Sequence, residues 1–223
     1  MATLEQIASL VEQGKTDAAS KYPRGLIGQP GVRECVRELI AEGMDPLRIL
    51  NEALTPGIRA LGKKFSEGTV FVPELLLAAK AMKAGVEEVM PHLQAGDIKT
   101  RGTVLLGTVQ GDIHDIGKNL VKMLLEGVGW KIVDLGANVP SANFVASALE
   151  HKPDAIGLSA LLTTTMETMR DVVKQLRDAE VNVPVLVGGA PLSHAFASEI
   201  NAHYGEDPQA AIDILDRLLP DAG

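Results

Sequence analysis

Apolar positions in the first part of the chain recur at spacings of three and four residues, the period of an amphipathic helix. The pattern predicts helices in the segments LEQIASLVEQ, VRECVRELIAEGM, DPLRILNEALTPGIRALGKKF and VPELLLAAKAMKAGVEEVM. Asp45 is expected to cap the third helix with Pro46 in its first turn, and Pro73 is expected to open the fourth. Residues 1–93 are therefore predicted to form a small helical bundle.

From residue 102 the pattern changes to short apolar runs that alternate with Gly-rich turns and helical periods. The runs TVLLGTV, WKIVDLG, DAIGLSA and VPVLVGG are apolar on both faces, as in strands of a parallel sheet covered by helices. Residues 101–223 are predicted to form a doubly wound, flavodoxin- or Rossmann-like α/β domain, with residues 94–100 as a linker. Ligands of such sheets bind beyond the carboxyl ends of the strands, so the loops after the first, third and fourth strands are candidate sites.

The composition restricts the class of partner. Among 223 residues, 21 are Lys or Arg and 29 are Asp or Glu, and the net charge of -8 argues against a nucleic-acid or acidic-membrane partner. The single cysteine, Cys35, cannot form an internal disulfide, and neither a signal-peptide pattern nor a membrane-length apolar run is evident. We expect a soluble, cytoplasmic protein that binds other proteins and small molecules.

The predicted loop after the first strand, residues 111–119, reads GDIHDIGKN and concentrates its chemistry in Asp112 and His114. Two residues apart in an extended loop, these side chains can point to the same side. The carboxylate could then hold one imidazole nitrogen while the other nitrogen binds a metal. Gly111 and Gly117 would permit the close backbone approach that a bulky planar ligand requires.

Several interpretations of this loop stay open on the residues alone. A single His in a polar loop ordinarily has a surface or hydrogen-bonding role. A zinc site is disfavoured because no second His or Cys lies at ligand spacing, and a phosphate site at a helix N-terminus is conceivable although the two aspartates would repel the anion. A metal that brings four equatorial ligands of its own would need only one His from the protein.

Three motifs at the ends of the predicted strands resemble the signature of cobalamin-binding domains of the methionine synthase type: Asp112-x-His114-x-x-Gly117, Ser159-x-Leu161 and Gly188-Gly189. In the first half, the segment GKKFSEGTVFVPELLLAAKAMK resembles the helical cap that covers the corrin in the same proteins. The resemblance extends from about residue 40 to the end of the chain. The stretch of residues 21–30, KYPRGLIGQP, departs from the family by interrupting what would be a continuous second helix of the cap.

The resemblance implies a base-off, His-on cofactor. His114 would be the lower axial ligand of cobalt in place of the dimethylbenzimidazole tail, Asp112 would hydrogen-bond its other nitrogen, and Ser159 would lie beside this pair or the tail. The tail would enter a slot lined by Gly117, Gly188 and Gly189. Further contacts with the cofactor would come from Asp115, Ile116, Leu161, Thr163 and Tyr204. Each glycine or hydroxyl could alternatively serve only a turn or a helix cap.

In the cap, the resemblance implies that Phe71, Leu75 and Leu76 shield the upper axial position, although an apolar corner could also be simple core. The family further implies cobalamin as cofactor, in the methylcobalamin and cob(I)alamin forms. A TIM-barrel substrate domain needs roughly 200 residues or more, which this chain does not have to spare. The chain is therefore expected to be a standalone corrinoid protein.

The expected protein is similar to the corrinoid subunits of methanol, methylamine, glycine betaine and aryl-ether methyltransferase systems. It would not be catalytically complete alone. A substrate-specific methyltransferase would load the methyl group, a second methyltransferase would deliver it to tetrahydrofolate or coenzyme M, and a reductive activating protein would assist. The linker at 94–100 would be the hinge that lets the cap move aside.

Three alternatives remain. A cobalamin storage or delivery protein would keep the same site without methyl transfer. An adenosylcobalamin-based sensor would need a DNA-binding region and usually a Trp and a Glu-His pair in the cap, whereas the only Trp of this chain is Trp130. A flavodoxin-like domain with another ligand would leave the three motifs unexplained together.

Overall fold

The structure, a computed structural model, describes residues 2–93 and 100–220, which fall into two compact units on either side of the boundary between residues 99 and 100. Apart from Thr100, the predicted linker at 94–100 lies outside the described residues. No helix in the described part of the chain is both long and apolar enough to span a membrane.

The first unit is a helical bundle. Its helices are α1 (Leu4–Glu12), α2 (Val32–Ala41), α3 (Pro46–Ile49), α4 (Thr55–Ser66) and α5 (Val72–Val89). A π-helical turn over Leu50–Leu54 joins α3 to α4, and short 3-10 turns lie at Arg24–Leu26 and Met90–His92. The core is built from aliphatic side chains of all five helices and the π turn, among them Ile7, Val36, Ile49, Leu54, Ile58 and Leu75.

Side-chain caps fix where these helices begin, as the sequence predicts. The Asp45 carboxylate accepts a hydrogen bond from Leu47 N at 3.0 Å, and Pro46 follows as the first residue of α3. At the start of α5, Glu74 Oε2 accepts from the backbone N–H of Phe71 at 3.2 Å. Phe71 is thereby held in extended backbone immediately before the helix.

The departing stretch of residues 21–30 lies in the connection between α1 and α2, where its regular structure is one 3-10 turn. The base of this connection is closed by backbone hydrogen bonds from Val32 N to Lys15 O and from Arg33 N to Thr16 O, each 3.0 Å long. The stretch therefore precedes α2 and leaves that helix uninterrupted from Val32 to Ala41.

The second unit is an α/β domain. Its strands are β1 (Thr103–Thr108), β2 (Lys131–Asp134), β3 (Ala155–Ser159), β4 (Val185–Gly188) and β5 (His203–Gly205). They alternate with α6 (Ile116–Gly127), α7 (Ser141–His151), α8 (Thr163–Asp178) and α9 (His194–Glu199), and α10 (Pro208–Leu218) follows β5. The predicted order of helical bundle and doubly wound parallel sheet is confirmed.

The strand order is β2-β1-β3-β4-β5, with every neighbouring pair parallel. The chain turns from β1 to β2 on one side and returns to β3 on the other, so the topological switch point lies between β1 and β3. The register aligns the last residues of four strands in one row: Thr108, Ser159, Gly188 and Gly205. The loops that follow these strands therefore leave the sheet side by side.

The two faces of the sheet are used differently. Alternate strand residues such as Leu105, Ile156 and Val187 belong to a buried cluster with α7, α8 and α9. The opposite face, with Val104 and Leu106, lines a cavity between α6 and α10. This division follows from the alternation of side chains along a strand.

Candidate corrinoid site

The loop between β1 and α6 is anchored before it reaches His114. Thr108, fully buried at the end of β1, donates its hydroxyl to the carbonyl oxygen of His114 at 3.1 Å. Gly111 has φ +87°, a left-handed conformation that glycine adopts without strain, and its N–H donates to Asn138 Oδ1 at 2.8 Å. Asn138 N in turn donates to Asp112 O at 2.9 Å, so the loop is pinned to the segment after β2.

The Asp112 carboxylate is the hub of the site. Its side chain is fully buried, and Oδ1 accepts from the backbone N–H of His114 at 3.0 Å and from His114 Nδ1 at 2.7 Å. Oδ2 accepts from Leu161 N at 2.7 Å, from Leu162 N at 3.3 Å and from the Thr165 hydroxyl at 2.9 Å. The loops after β1 and β3 thus meet at a single side chain.

These contacts fix the charge of Asp112 and the tautomer of His114. Burial alone would raise the pKa of the Asp112 carboxyl, but the hydrogen bonds from Leu161, His114 and Thr165 outweigh it and hold the pKa well below its usual range. An ionised Asp112 can only accept, so His114 Nδ1 carries the proton that it donates. The lone pair of Nε2 is left for a ligand, the arrangement in which a carboxylate orients a metal-binding imidazole.

Exposed apolar side chains lie on the two loops next to the exposed imidazole. The His114 side chain is 48% exposed, and Ile113 and Ile116 beside it are 77% and 71% exposed. From the loop after β3, Leu161 and Leu162 are 44% and 42% exposed. Four large apolar side chains are thus exposed on the two loops that Asp112 joins, and this group, which we call the apolar platform, suits a ligand with a broad apolar face.

A cavity of about 290 Å³ opens between α6 and α10 over the sheet face that carries Val104 and Leu106. It brings together four of the predicted slot residues: Gly117, Ser159, Gly188 and Gly189. The remaining lining is mostly aliphatic, including Val121, Leu125 and Leu215. A buried apolar slot that opens beside the His114 loop suits a flat ring attached to a larger group.

Two of these glycines differ in what an added side chain would meet. Gly189 has φ +137°, and a Cβ there would lie 1.7 Å from Ala160 O, so the fold itself demands glycine. A Cβ on Gly117 would meet no protein atom within 4 Å. Because Gly117 lines the cavity, its missing side chain keeps space free for a ligand rather than for the protein.

The hydroxyl that reaches Asp112 was not among the predicted site residues. Thr163 is exposed at the first position of α8, while the hydroxyl that reaches Asp112 belongs to Thr165 in the same helical turn. The sequence interpretation did not include Thr165, although a hydroxyl in the first turn after the Ser159-x-Leu161 motif was the available signal. Ser159 lies on the cavity wall.

Asp115 and Tyr204 have other surroundings. Asp115 is the residue before α6 and accepts from Asn119 Nδ2 at 3.0 Å, so it tethers the first turn of that helix. Tyr204 packs against the buried cluster on the opposite face of the sheet, and its ring meets His194 edge-on with centroids 5.0 Å apart. Because side chains alternate along β5, Gly205 rather than Tyr204 lines the cavity.

The three predicted shielding residues of the helical unit are not equivalent. Phe71 and Leu76 are 67% and 45% exposed, whereas Leu75 is 1% exposed and belongs to the core of the bundle. The expectation that Leu75 covers a ligand is therefore corrected, since its side chain is already packed against other helices. Phe71 and Leu76 remain available for that role.

No group of three or more His, Cys, Asp or Glu side chains within residues 2–93 and 100–220 could hold a metal ion. A metal at His114 would then lack, in the described part of the chain, the three or more protein ligands of a zinc site. The donor set, the apolar platform and the Gly117 space together fit a metal inside a large planar ring that carries a tail.

Comparison with known proteins agrees with this geometry. Two profiles, each described as a B12 binding domain, match residues 102–214 and 29–89. The chain belongs to the family of B12-binding corrinoid proteins. Cobalamin is accordingly the cofactor of this protein.

Curated relatives cover most of the chain. "Trimethylamine corrinoid protein 1" of Methanosarcina mazei is 40% identical over 83% of this chain and 87% of its own length. "Dimethylamine corrinoid protein 2" of Methanosarcina acetivorans is 40% identical over 82% and 86%. Among solved structures, one from the methanol:cobalamin methyltransferase complex of Methanosarcina barkeri has a TM-score of 0.80 and 31% identity, and covers 97% of this chain and 79% of that one.

Proposed function

We propose that this corrinoid protein carries a methyl group between a substrate-specific methyltransferase and a second methyltransferase, and does not complete a reaction alone. The observation that carries the proposal is the buried, ionised Asp112 that orients an exposed His114 at the switch point of the sheet. When bound, the corrinoid supplies a cobalt centre that accepts and releases the methyl group. The protein residues bind, orient and shield it.

His114 is the residue that would hold the metal, through Nε2. Its ring is restrained at Nδ1 by Asp112, and Asp112 is restrained by Leu161 N and Thr165 Oγ1. A preorganised imidazole loses little freedom on binding, and the carboxylate behind it fixes the tautomer that leaves the lone pair of Nε2 for the metal. Ile116 and Leu161 would contact the face of the corrin ring. The nucleotide tail would be received by four residues of the cavity: Gly117, Ser159, Gly188 and Gly189.

Phe71 and Leu76 are the residues of the helical unit that we propose for shielding the methyl group from water. Both are large, apolar and exposed, and Phe71 is fixed in position by the Glu74 contact at the start of α5. We propose the domain division as residues 1–93 for this cap and 101–223 for the cofactor domain. The separate profile matches at 29–89 and 102–214 support it.

The partners follow from the relatives. A substrate-specific methyltransferase is the supported partner, because relatives are named for methylamines and for a methanol:cobalamin methyltransferase complex. Relatives named for trimethylamine and dimethylamine are equally similar, at 40% identity, so we propose that the methyl donor is selected by the partner enzyme. Transfer to tetrahydrofolate or coenzyme M, a reductive activating protein and a cytoplasmic location stay predictions.

The storage and sensor alternatives are not favoured. The curated relatives carry the names of methylamine corrinoid proteins over most of their length. A storage protein would also have no need to shield the cofactor with an exposed aromatic residue such as Phe71.

The test is the spectrum of the full chain reconstituted with hydroxocobalamin, compared with His114→Ala and with His92→Ala as a matched control. We expect one cofactor per chain in a base-off form with imidazole bound to cobalt in the wild type and in His92→Ala. After reduction to paramagnetic Co(II), the electron paramagnetic resonance spectrum should show three-line splitting from the bound ¹⁴N of histidine. In a protein labelled with ¹⁵N-histidine the same splitting should have two lines. His114→Ala should lose this signature. A wild-type protein that binds no corrinoid, or binds it with its own base still on cobalt, would refute the proposal.

A further inference from the structure

The cavity between α6 and α10 changes in character from one end of the sheet to the other. Near the amino ends of the strands it is lined by aliphatic side chains from β1, α6 and α10: Val104, Leu125 and Leu215. Leu186, second in β4, and Val121, in the middle of α6, extend this lining. We call this group of five residues the floor of the cavity. It offers no side-chain hydrogen-bonding group.

Polar side chains lie at the other end, near the carboxyl edge of the sheet, and we call them the rim: Lys118, Ser159, Glu206 and Asp207. Two of them are already engaged. Lys118 Nζ donates to Asp134 Oδ1 at 2.6 Å and to Asn119 Oδ1 at 2.8 Å, while Asp207 Oδ1 accepts from Ala210 N at 2.8 Å as the cap of α10. Glu206 is exposed to solvent.

The Ser159 hydroxyl is the group on the cavity wall that can serve a buried ligand atom. Ser159 is half-buried as the last residue of β3, in register with Thr108 and Gly188. Within residues 2–93 and 100–220 its hydroxyl has no hydrogen-bonding partner. The Ser159 hydroxyl can donate a hydrogen bond to one ring nitrogen of a ligand. The side chains of the floor can form no hydrogen bond with it.

We propose that this cavity selects corrinoids by the polarity of their lower base, accepting benzimidazole or phenolic bases and discriminating against purines. The inference rests on the proposed function, because it assumes that the tail of the cofactor enters the cavity. A benzimidazole displaced from cobalt presents one ring nitrogen, which Ser159 can match. A purine adds further ring nitrogens and often an exocyclic amine, and these would lose water without gaining partners at the floor.

Coordination by His114 removes one usual constraint on the base. If the His114 imidazole binds the metal, the base of the cofactor would not need to be a metal ligand in the bound state. A phenolic base, which has no such nitrogen, therefore loses little. A benzimidazole or purine base would give up its cobalt–nitrogen bond when His114 binds, and a phenolic base has no such bond to break. Benzimidazole is the stronger of the two nitrogen ligands, so a preference for benzimidazole over purine has to arise in the cavity.

The experiment is a competition for the full chain among hydroxo forms of cobalamin, a cresolyl cobamide and an adeninyl cobamide, with cobinamide as the ligand that lacks a base. Binding is followed by quenching of Trp130 fluorescence and by the absorbance of the corrin. We expect cobalamin and the cresolyl cobamide to bind within about threefold of each other, and the adeninyl cobamide at least about tenfold more weakly than cobalamin. Equal affinities for cobalamin and the adeninyl cobamide would overturn the inference.

Val121→Thr adds one hydroxyl to the floor without changing its volume, and should narrow the gap between the cobalamin and adeninyl affinities. Val145→Thr makes the same change in α7, against the opposite face of the sheet, and should leave the gap as it is in the wild type. A gap that is unchanged in Val121→Thr would show that selection arises outside the cavity.

The outcomes separate this inference from the proposed function. If no corrinoid binds, the proposed function fails and the selectivity question does not arise. If all the cobamides bind equally well with imidazole on cobalt, the carrier site stands and only the selection by the floor is refuted.

Discussion

Thr165 Oγ1 lies 2.9 Å from Asp112 Oδ2, and both side chains are buried where the loop after β3 meets the loop after β1. The same hydroxyl is 2.8 Å from Leu162 O, but it has one proton to donate. The charged carboxylate is the stronger acceptor, so the proton belongs to the contact with Asp112. Thr165 thus supports His114 through Asp112 without touching the imidazole.

Thr165→Val removes this hydroxyl with little change in volume. We expect the α/β unit to lose about 1–2 kcal/mol of unfolding free energy, because Asp112 Oδ2 keeps its backbone donors but loses its side-chain donor. Thr163→Val, at the exposed start of α8, should change stability by no more than about 0.5 kcal/mol. Urea unfolding of both variants gives the comparison. Equal effects of the two would show that Thr165 does not hold Asp112.

Sequence alone could predict most of the architecture because the strands are apolar on both faces and are punctuated by glycines. The pairing of Asp112 with His114 was also accessible, since the two residues are neighbours in one loop. Thr165 was not, because it reaches Asp112 only through the packing of α8 against a loop 53 residues away in sequence.

Other details depended on the direction in which single side chains point, which the pattern of apolar and polar residues does not determine. Leu75 and Leu76 are adjacent and equally apolar, yet one is buried and the other is 45% exposed, because the helix turns about 100° between them. Tyr204 faces away from the cavity because a strand of three residues, His203–Gly205, is too short for alternation to reveal its register.

The depressed pKa of Asp112 predicts a contribution to acid stability. Its folded pKa lies below the unfolded value of about 3.9, so the stabilisation is complete above that value and is lost as the pH falls toward the folded pKa. Below about pH 4 the unfolding free energy of the wild type should fall more steeply than that of Asp112→Asn, by up to about 1.4 kcal/mol per pH unit.

The measurement is chemical unfolding of both proteins at pH values from about 6 down to 2.5. Asp134 also has a lowered pKa: burial raises it, and the Lys118 contact outweighs the burial. It is present in both proteins, and its contribution cancels in the difference. Parallel curves for the wild type and Asp112→Asn would contradict the assigned charge of Asp112.

Gly117→Ala and Gly189→Ala should have opposite effects on the protein without cofactor. At Gly117, the second residue of α6, alanine meets no protein atom within 4 Å and should stabilise the helix by about 0.5–1 kcal/mol. At Gly189, alanine would collide with Ala160 O and should cost at least about 3 kcal/mol.

Gly117→Ala, which should stabilise the protein without cofactor, should weaken its binding of cobalamin. Its added methyl group projects into the cavity, so the affinity for cobalamin should fall at least tenfold while the affinity for cobinamide, which has no base, should stay near the wild-type value. Calorimetric titration with both ligands makes the comparison. If Gly117→Ala weakens both equally, the cavity is not where the tail binds.

Lys118 and Lys122 both contact Asp134, but from different environments. The Lys118 side chain is 3% exposed and lies 2.6 Å from Asp134 Oδ1, whereas Lys122 is 34% exposed and lies 3.2 Å from Oδ2. Lys118→Met should cost about 2–3 kcal/mol, below the full effect of breaking a buried pair, because Asp134 is 22% exposed and keeps Lys122 and the N–H of Gly136 as partners. Lys122→Met should cost about 0.5 kcal/mol or less.

A double-mutant cycle with Asp134→Asn separates the ion pair from the loss of packing by the lysine stem. We expect a coupling energy of at least about 1 kcal/mol between Lys118 and Asp134, and a smaller one between Lys122 and Asp134.

Lys118 also connects the ion pair to the His114 loop. It donates a hydrogen bond to Asn119, and Asn119 donates one to Asp115, which immediately follows His114. If the ion pair fixes the start of α6, Lys118→Met should broaden the spread of histidine orientations seen in the ¹⁵N splitting of the reduced holoprotein, and Lys122→Met should leave it unchanged. Identical spectra for the two variants would limit Lys118 to a role in stability.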